Sequence, residues 1–451
     1  MERQHSRPLD VFEAPLTGMH LVEASAGTGK TRAITDLYLR LILETERQVS
    51  QILVLTFTVA ATAELRDRIR QRLVEAYHAF AGRPTADPFC QQLLTSYAPW
   101  QQALHRLEKA LQGFDEAAIY TIHGFCERAL ADGAFESGMP FESTLLPDER
   151  ELLQDIVDDF WRREVYNASP LFVRHLLHRN HSPEQFLATI RPHVGKPYLK
   201  VVPAASPASA CGGQTLAEME TAFAAAYAEA RALWQTTAAE VKDMLSTSQA
   251  LNRNMYRLNS LPGWLDSMTG YLAQEAPDPQ LCESFERFTT ARLTRAVKKG
   301  AQPLQHPFFA ACDTLAAAHA PLLAAYNRQL HALTVALFDY CQRELGTRKR
   351  RRHLQSYDDL LINLEGALTG RHGQTLAATL RRRYTAALID EFQDTDPVQY
   401  HIFRQLYHGT TAPVFFVGDP KQAIYSFRGA DIFAYLKACH DTTFRHTLES
   451  N

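Results

Sequence analysis

The chain has 451 residues, of which 46% are hydrophobic and 22% charged, enough for two or three domains with buried cores and too apolar for intrinsic disorder. A net charge of −3 excludes a globally basic nucleic-acid binder but not a local basic groove. The seven cysteines are scattered without a C-x-x-C pair, which argues against a structural zinc site or a disulfide framework, and Cys126 reads as a core thiol. No apolar run is expected to span a bilayer, and the opening MERQHSRPLDVFEAP has no signal-peptide core, so a cytoplasmic setting without a membrane partner is expected.

The first element is a buried strand, HLVEA (20–24), running into EASAGTGKT. Ala24-Ser25-Ala26-Gly27-Thr28-Gly29-Lys30-Thr31 matches G-x-x-x-x-G-K-[ST] everywhere except its first position, where alanine replaces glycine. Gly27 and Gly29 let backbone N–H groups curl around anionic oxygens, and the N-terminus of the following helix adds partial positive charge. Lys30 can reach the β- and γ-phosphates, and the Thr31 hydroxyl can ligate Mg²⁺. Ile34, Leu37, Tyr38 and Leu41 recur at helical spacing, so TRAITDLYLRLIL reads as an amphipathic helix.

Two more strands follow, ILVLTFT (52–58) and AAIYTIH (117–123), short and largely β-branched or aromatic as in a parallel sheet buried on both faces. From about 145 to 355 the character changes to alanine- and leucine-rich helix. Leu323, Tyr326, Leu330, Leu333, Leu337 and Tyr340 form a packing stripe, and VVPAASPASACGGQ (201–214) has loop composition. The basic groups Arg348–Arg352, Arg381–Arg383 and Arg292, Arg295, Lys298, Lys299 read equally well as solvated helix ends or as DNA contacts.

The strand AALIDE (386–391) ends in two carboxylates. Asp390 is placed to hold Mg²⁺ and Glu391 to orient and deprotonate an attacking water. Asp396-Pro397-Val398-Gln399 reads as a helix start, with Asp as N-cap and Pro at the first helical position. After the strand VFFVGD (414–419), Gln422 is placed to sense a γ-phosphate. Tyr425, Phe427 and Arg428 suit base stacking beside a phosphate contact.

Taken in order, ASAGTGKT, TFTVAATAELRDRI (56–69), TIHGFC (121–126), YDDLL (357–361), LIDEFQDTDPVQY (388–400) and GDPKQAIYSFRGADIF (418–433) resemble the nucleotide and DNA motifs of UvrD/Rep-type superfamily 1 helicases. FESGMPFE (135–142), DEFQDTDP and FRGADIF are most similar to the RecB branch, the β subunit of exodeoxyribonuclease V. The resemblance implies an α/β fold: a RecA-like, parallel-sheet P-loop NTPase domain (1–145 and 356–451) interrupted by a mostly α-helical insertion (146–355). It implies ATP and Mg²⁺ as cofactors, with residues 24–31 on the phosphates, Thr31 and Asp390 on the metal, and Lys30, Glu391 and Gln422 in hydrolysis. It also implies that Thr56, Phe57, His123, Tyr425, Phe427 and Arg428 lie along single-stranded DNA, with duplex ends as substrate and RecC-like and RecD-like subunits as partners. Two departures stand out. The glutamine motif that reads adenine is not recognisable in MERQHSRPLDVFEAPLTGMH, and nothing before Asn451 matches the second motor domain or nuclease domain of such proteins. The competing expectation is a module that binds ATP and DNA, or docks on a partner, without turnover; a P-loop ATPase acting on something other than DNA fits the aromatic-arginine cluster less well.

Overall fold

The computed structural model describes residues 7–25, 27–97, 100–133, 144–196, 199, 201, 214–422 and 431–448. The chain divides into two compact units, Met1–Pro147 with Arg352–Asn451, and Asp148–Arg351.

The first unit is built on a seven-stranded sheet, every pair of which is parallel. Its strands are β1 (Arg7–Pro8), β2 (Met19–Ala24), β3 (Ile52–Thr56), β4 (Ile119–Thr121), β7 (Ala386–Ile389), β8 (Val414–Gly418) and β9 (Phe444–Leu448), in spatial order β1-β9-β2-β8-β7-β3-β4. The five apolar runs read from the sequence are β2, β3, β4, β7 and β8, and β3, β7 and β8 are buried throughout, as a doubly covered parallel sheet requires. β1 and β9 carry no such run. FRHTL is only half-buried because it lies near the sheet margin, with the two-residue β1 on its outer side.

β4 is shorter than AAIYTIH. Thr121 is not its interior but the N-cap of the next helix, its hydroxyl accepting from the Gly124 amide at 3.1 Å. On the outer side of β4, Arg66 donates to the carbonyls of Ala117 and Ile119, at 3.3 and 3.1 Å, so a guanidinium caps part of what would otherwise be an open sheet edge.

Helices α1 (Lys30–Thr45), α2 (Val59–Phe80), α3 (Pro88–Ser96), α4 (Gln101–Gln112) and α5 (Ile122–Asp132) follow in chain order. The amphipathic reading of α1 is corrected: every residue from Ala33 to Leu43 is buried, including Thr35, Asp36 and Arg40. The helix has no solvated face because one core encloses it together with α2, α4 and the segment before β2. Arg40 is satisfied there by the carbonyls of Val11 (2.6 Å) and Ala14 (2.8 Å) and by Glu44. Cys126 lies fully buried in the core on the other face. The helix start at Asp396 is as read: its carboxylate accepts from the Gln399 amide at 2.8 Å, with Pro397 first in the helix Pro397–Tyr407.

Two short strands, β5 (Thr144–Leu145) and β6 (Leu354–Gln355), pair in parallel where the chain leaves the first unit and returns to it. The Thr144 amide donates to the His353 carbonyl and the Leu146 amide to that of Gln355, both at 2.8 Å.

The second unit is helical, with two cores of its own. Its longest helix, Pro307–Arg352, contributes Phe308, Cys312, Leu315, Leu322 and Tyr326 to one core and Leu337, Cys341 and Leu345 to the other. The buried position in the expected stripe is Leu322, not Leu323. By length and composition this helix is apolar enough to cross a membrane, which corrects the expectation that no run is. Of its apolar stretch 33% is buried in the structure. Arg348 and Lys349 in the basic run there form ion pairs with Asp159 and Glu149. Most of 201–214 lies outside the described residues.

Candidate functional site

The strand order puts the C-terminal ends of β3, β7, β8 and β2 side by side, and these ends carry the chemistry. Ligands in open parallel sheets bind at that edge. After β2 the phosphate loop turns back on itself: the Thr28 amide and hydroxyl both donate to the Ser25 carbonyl, at 3.2 and 2.8 Å. Gly27 (φ 81°) and Gly29 (φ 88°) occupy left-handed backbone that a Cβ would strain. Gly29 also starts α1, whose first turn has neither a side-chain cap nor an acidic residue. Its amides therefore meet no anion supplied by the helix itself, as a phosphate cradle requires. Ala24 is buried at the strand end, Ser25 is exposed, Thr31 half-buried, and Ala26 lies outside the described residues.

After β7 come Asp390 and Glu391. The Asp390 amide donates to the Leu55 carbonyl at 2.9 Å, and its carboxylate accepts from the Glu391 amide at 2.9 Å. Glu391 adopts φ 51°, a left-handed conformation that costs a non-glycine residue about 1–3 kcal/mol and clusters at functional sites. Its Oε2 accepts from Lys30 Nζ at 2.7 Å, joining the phosphate loop to the carboxylate pair. Burial first, and the adjacent Glu391 second, raise the Asp390 carboxyl from 3.8 to about 6, against the opposing pull of the Glu391 amide and Lys30.

Two neighbouring carboxylates, one of them reluctant to ionise, fit a divalent cation. Among the described residues no cluster of three or more His, Cys, Asp or Glu is present, so Mg²⁺ here would be held by Thr31, Asp390 and a ligand's phosphates, the usual arrangement for this ion. A testable consequence follows from the sign of the Asp390 shift. Between about pH 4 and pH 6 the folded chain holds a proton that the unfolded chain has released, so stability falls as pH rises through that window. Above it a cation offsets the buried charge. Millimolar Mg²⁺ is expected to raise the melting temperature well above pH 6 and to have little effect below pH 5, read by scanning fluorimetry; equal shifts at both would remove Asp390 from the metal site.

Beside Thr28 and Gly29 opens a cavity of about 1080 Å³ lined also by Phe12, Arg32, Asp87 and Phe89. The sequence reading missed it. Its wall is a charge network joining three helices. Arg72 of α2, buried, donates to Asp36 of α1 at 2.6 Å and to Asp87, the N-cap of α3, at 3.0 Å. Arg32 pairs with both carboxylates. Burial raises the Asp36 carboxyl despite the two guanidiniums. At Asp87 burial also pushes up, but the hydrogen bonds from Arg72 and the Cys90 amide outweigh it and hold that carboxyl well below its usual range. The one local signal was charge inside an apolar helix.

On the β3 side, Thr56 is buried, its hydroxyl engaged with Thr62 at 2.5 Å and the Thr58 carbonyl at 3.3 Å, so its side chain holds the turn. Phe57 is half-buried and belongs to no core cluster. His123 sits in the first turn of α5, edge-on to the exposed Tyr357 ring at 5.6 Å, its imidazole kept below its usual pKa by burial. Gln422 follows β8 with its amide on Asp419 at 3.1 Å. Tyr425, Phe427 and Arg428 lie outside the described residues.

A parallel sheet with a glycine-rich loop on one strand and an Asp-Glu pair on its near neighbour is the arrangement of a RecA-like P-loop domain. Residues 9–443 match the UvrD/REP helicase N-terminal domain, and the chain belongs to that family. It is 38% identical over 454 residues to the RecBCD enzyme subunit RecB of Escherichia coli (strain K12), covering 98% of this chain and 37% of that relative. To the same subunit of Haemophilus influenzae it is 34% identical over 484 residues, covering 98% of this chain and 39% of the relative. To that of Mycobacterium tuberculosis (strain H37Rv) it is 28% identical, covering 96% and 28%. The chain thus spans well under half the length of these relatives.

Proposed function

We propose that this chain is the ATP-binding part of a RecB-like 3′→5′ DNA helicase and exonuclease subunit. It would act in the cytoplasm on duplex ends and single strands during double-strand break repair and recombination, with RecC-like and RecD-like subunits. The observation that carries this reading is the ion pair between Lys30 and Glu391 at the mouth of the phosphate loop. Lys30 and the loop amides bind the phosphates, and Thr31 and Asp390 would hold Mg²⁺, which would neutralise phosphate charge. Without nucleotide, Lys30 occupies the carboxylate oxygen that a water would need. A phosphate competes for Lys30, and Glu391 Oε2 then becomes the acceptor for the proton of the attacking water. Hydrolysis is thus gated by the substrate itself.

A second reading, a nucleotide- and DNA-binding or partner-docking module without turnover, is favoured by one observation: the chain covers only 37% of the length of the Escherichia coli relative. An arginine finger contributes on the order of 10³–10⁵ in rate, and relatives are more than twice as long. Steady-state ATPase, with and without single-stranded DNA, separates the readings when measured on residues 1–451 and on the same chain joined to a second motor domain. The helicase reading expects weak activity from the first and DNA-stimulated hydrolysis from the second; silence from both leaves the binding module.

For the DNA, Phe57→Ala, Tyr425→Ala and Phe427→Ala are each expected to weaken single-strand binding about tenfold or more while leaving ATP affinity intact, since stacking contributes roughly 1–3 kcal/mol per base. Fluorescence anisotropy with a labelled oligonucleotide reads the effect. Joint loss of fold or of ATP binding would make the rings structural.

A further inference from the structure

Gln393, which the reading above does not use, sits inside the candidate site with both ends of its amide engaged. Its side chain is buried. Nε2 donates to Glu391 Oε2 at 2.6 Å, and Oε1 accepts from the Asp419 amide at 2.9 Å. The orientation is fixed by chemistry: a flipped amide would set oxygen against carboxylate and NH₂ against N–H. Asp419 carries the connection onward. It is buried, one carboxylate oxygen accepts from the Lys421 amide at 3.0 Å, and the other accepts from Gln422 Nε2 at 3.1 Å. A continuous chain therefore runs Lys30–Glu391–Gln393–Asp419–Gln422, from the phosphate loop across the end of β7 to the turn after β8.

Two independent features show that the contact is built. A Cβ on Gly418 would lie 2.6 Å from Gln393 Oε1 and 2.9 Å from the Gln393 backbone nitrogen, so only glycine allows β8 this close to the turn Phe392–Asp394. Glu391 also holds its left-handed backbone at the start of that turn, and a residue in such a conformation needs its surroundings to over-determine it.

We propose that Gln393 is a positioning residue for hydrolysis: it fixes the Glu391 carboxylate and ties it to the Asp419–Gln422 turn, so that nucleotide occupancy is transmitted to the segment leading in sequence to Tyr425, Phe427 and Arg428. The inference rests on the nucleotide-binding reading. Glu391 Oε2 is shared by a cation and a neutral amide. When phosphates draw Lys30 away, the amide of Gln393 still holds that oxygen, and the carboxylate stays where it can take a proton from the attacking water. Because the same amide holds Asp419, any shift of Glu391 is felt at Gln422.

The test is amide hydrogen exchange on residues 1–451 with saturating ATPγS and Mg²⁺, in wild type, Gln393→Met and Gln393→Glu. Methionine keeps the volume without either hydrogen bond. Glutamate keeps the acceptor for Asp419 but sets a carboxylate against Glu391. In wild type, nucleotide should slow exchange both in the phosphate loop and at 418–422. In Gln393→Met the loop response should persist and the turn response fall by half or more. In Gln393→Glu, single-turnover hydrolysis in the chain joined to a second motor domain should fall about tenfold or more with unchanged nucleotide affinity, the signature of a misplaced group and not of lost binding. A wild-type turn that ignores nucleotide while the loop responds overturns the proposal, as does a Gln393→Met turn that responds like wild type. A loop that itself fails to respond overturns the nucleotide reading, and this inference with it. Should methionine prevent folding, the glutamate variant alone decides.

Discussion

Lys30→Ala weakens nucleotide binding by about ten- to more than a hundredfold, whereas Glu391→Gln binds as well or better and does not hydrolyse: that is the expected result, and the two halves have different causes. Lys30 is the cation at the loop, and a hydrogen bond to a charged group contributes about 1.5–3 kcal/mol, a factor of ten to more than a hundred in affinity. Removing it also takes a positive charge away from the Glu391 carboxylate beside the loop. Glutamine at 391 keeps the shape and an oxygen for Lys30 and Gln393, but it cannot take a proton, and general-base catalysis contributes on the order of 10²–10⁴. Its neutral amide competes less well for Lys30 than the carboxylate does, so binding should tighten slightly. Equilibrium binding of a fluorescent ATP analogue, paired with single-turnover hydrolysis, reads both. Equal loss of affinity in the two variants would show that the ion pair is structural and that the roles assigned to its members are wrong.

The second large effect is on stability. Arg72→Ala is expected to cost about 3–5 kcal/mol, because it strands the Asp36 carboxylate, buried between α1 and α2, and removes a hydrogen bond from Asp87. Arg32 cannot take over: it is half exposed, and exposed pairs contribute about 0–1 kcal/mol. Replacing both partners, as Arg72→Met with Asp36→Leu, should recover most of the loss, since an apolar pair leaves no orphan charge. Denaturant unfolding of the single and double variants measures it. A single variant that loses less than about 1 kcal/mol would mean that Asp36 is solvated. Because α1 starts at the phosphate loop and α2 starts just after Phe57, the single variant should loosen both ends of the motor together.

What could be read in the amino-acid order was whatever is local. The left-handed glycines after β2 and the cap at Asp396 each depend on residues a few positions away. So do the apolar runs of β3, β7 and β8. What could not be read depends on partners distant in the chain. Arg72 meets Asp36 across 36 positions, and Gln393 meets Asp419 across 26; neither contact has a periodicity to betray it. Likewise α1 has an ordinary helical pattern, and only its enclosure by other segments buries Asp36 and Arg40. β9 escaped notice because a strand near a sheet margin has no need of a continuous apolar run.

The pairing of β5 with β6 makes the first unit tolerant of what lies between them. Thr144 and Leu354 stand opposite each other in the strand pair although 210 positions separate them in the chain. The motor unit thus presents a socket, two adjacent strand ends whose spacing is the same whatever is plugged between them. Loop-closure entropy grows only logarithmically, by about 0.6 kcal/mol for each doubling of length, so the motor is nearly indifferent to the size of what it carries there. Helices added to or trimmed from the 148–351 region would therefore leave the pairing of these two strand ends, and the seven-stranded sheet behind it, nearly unaffected.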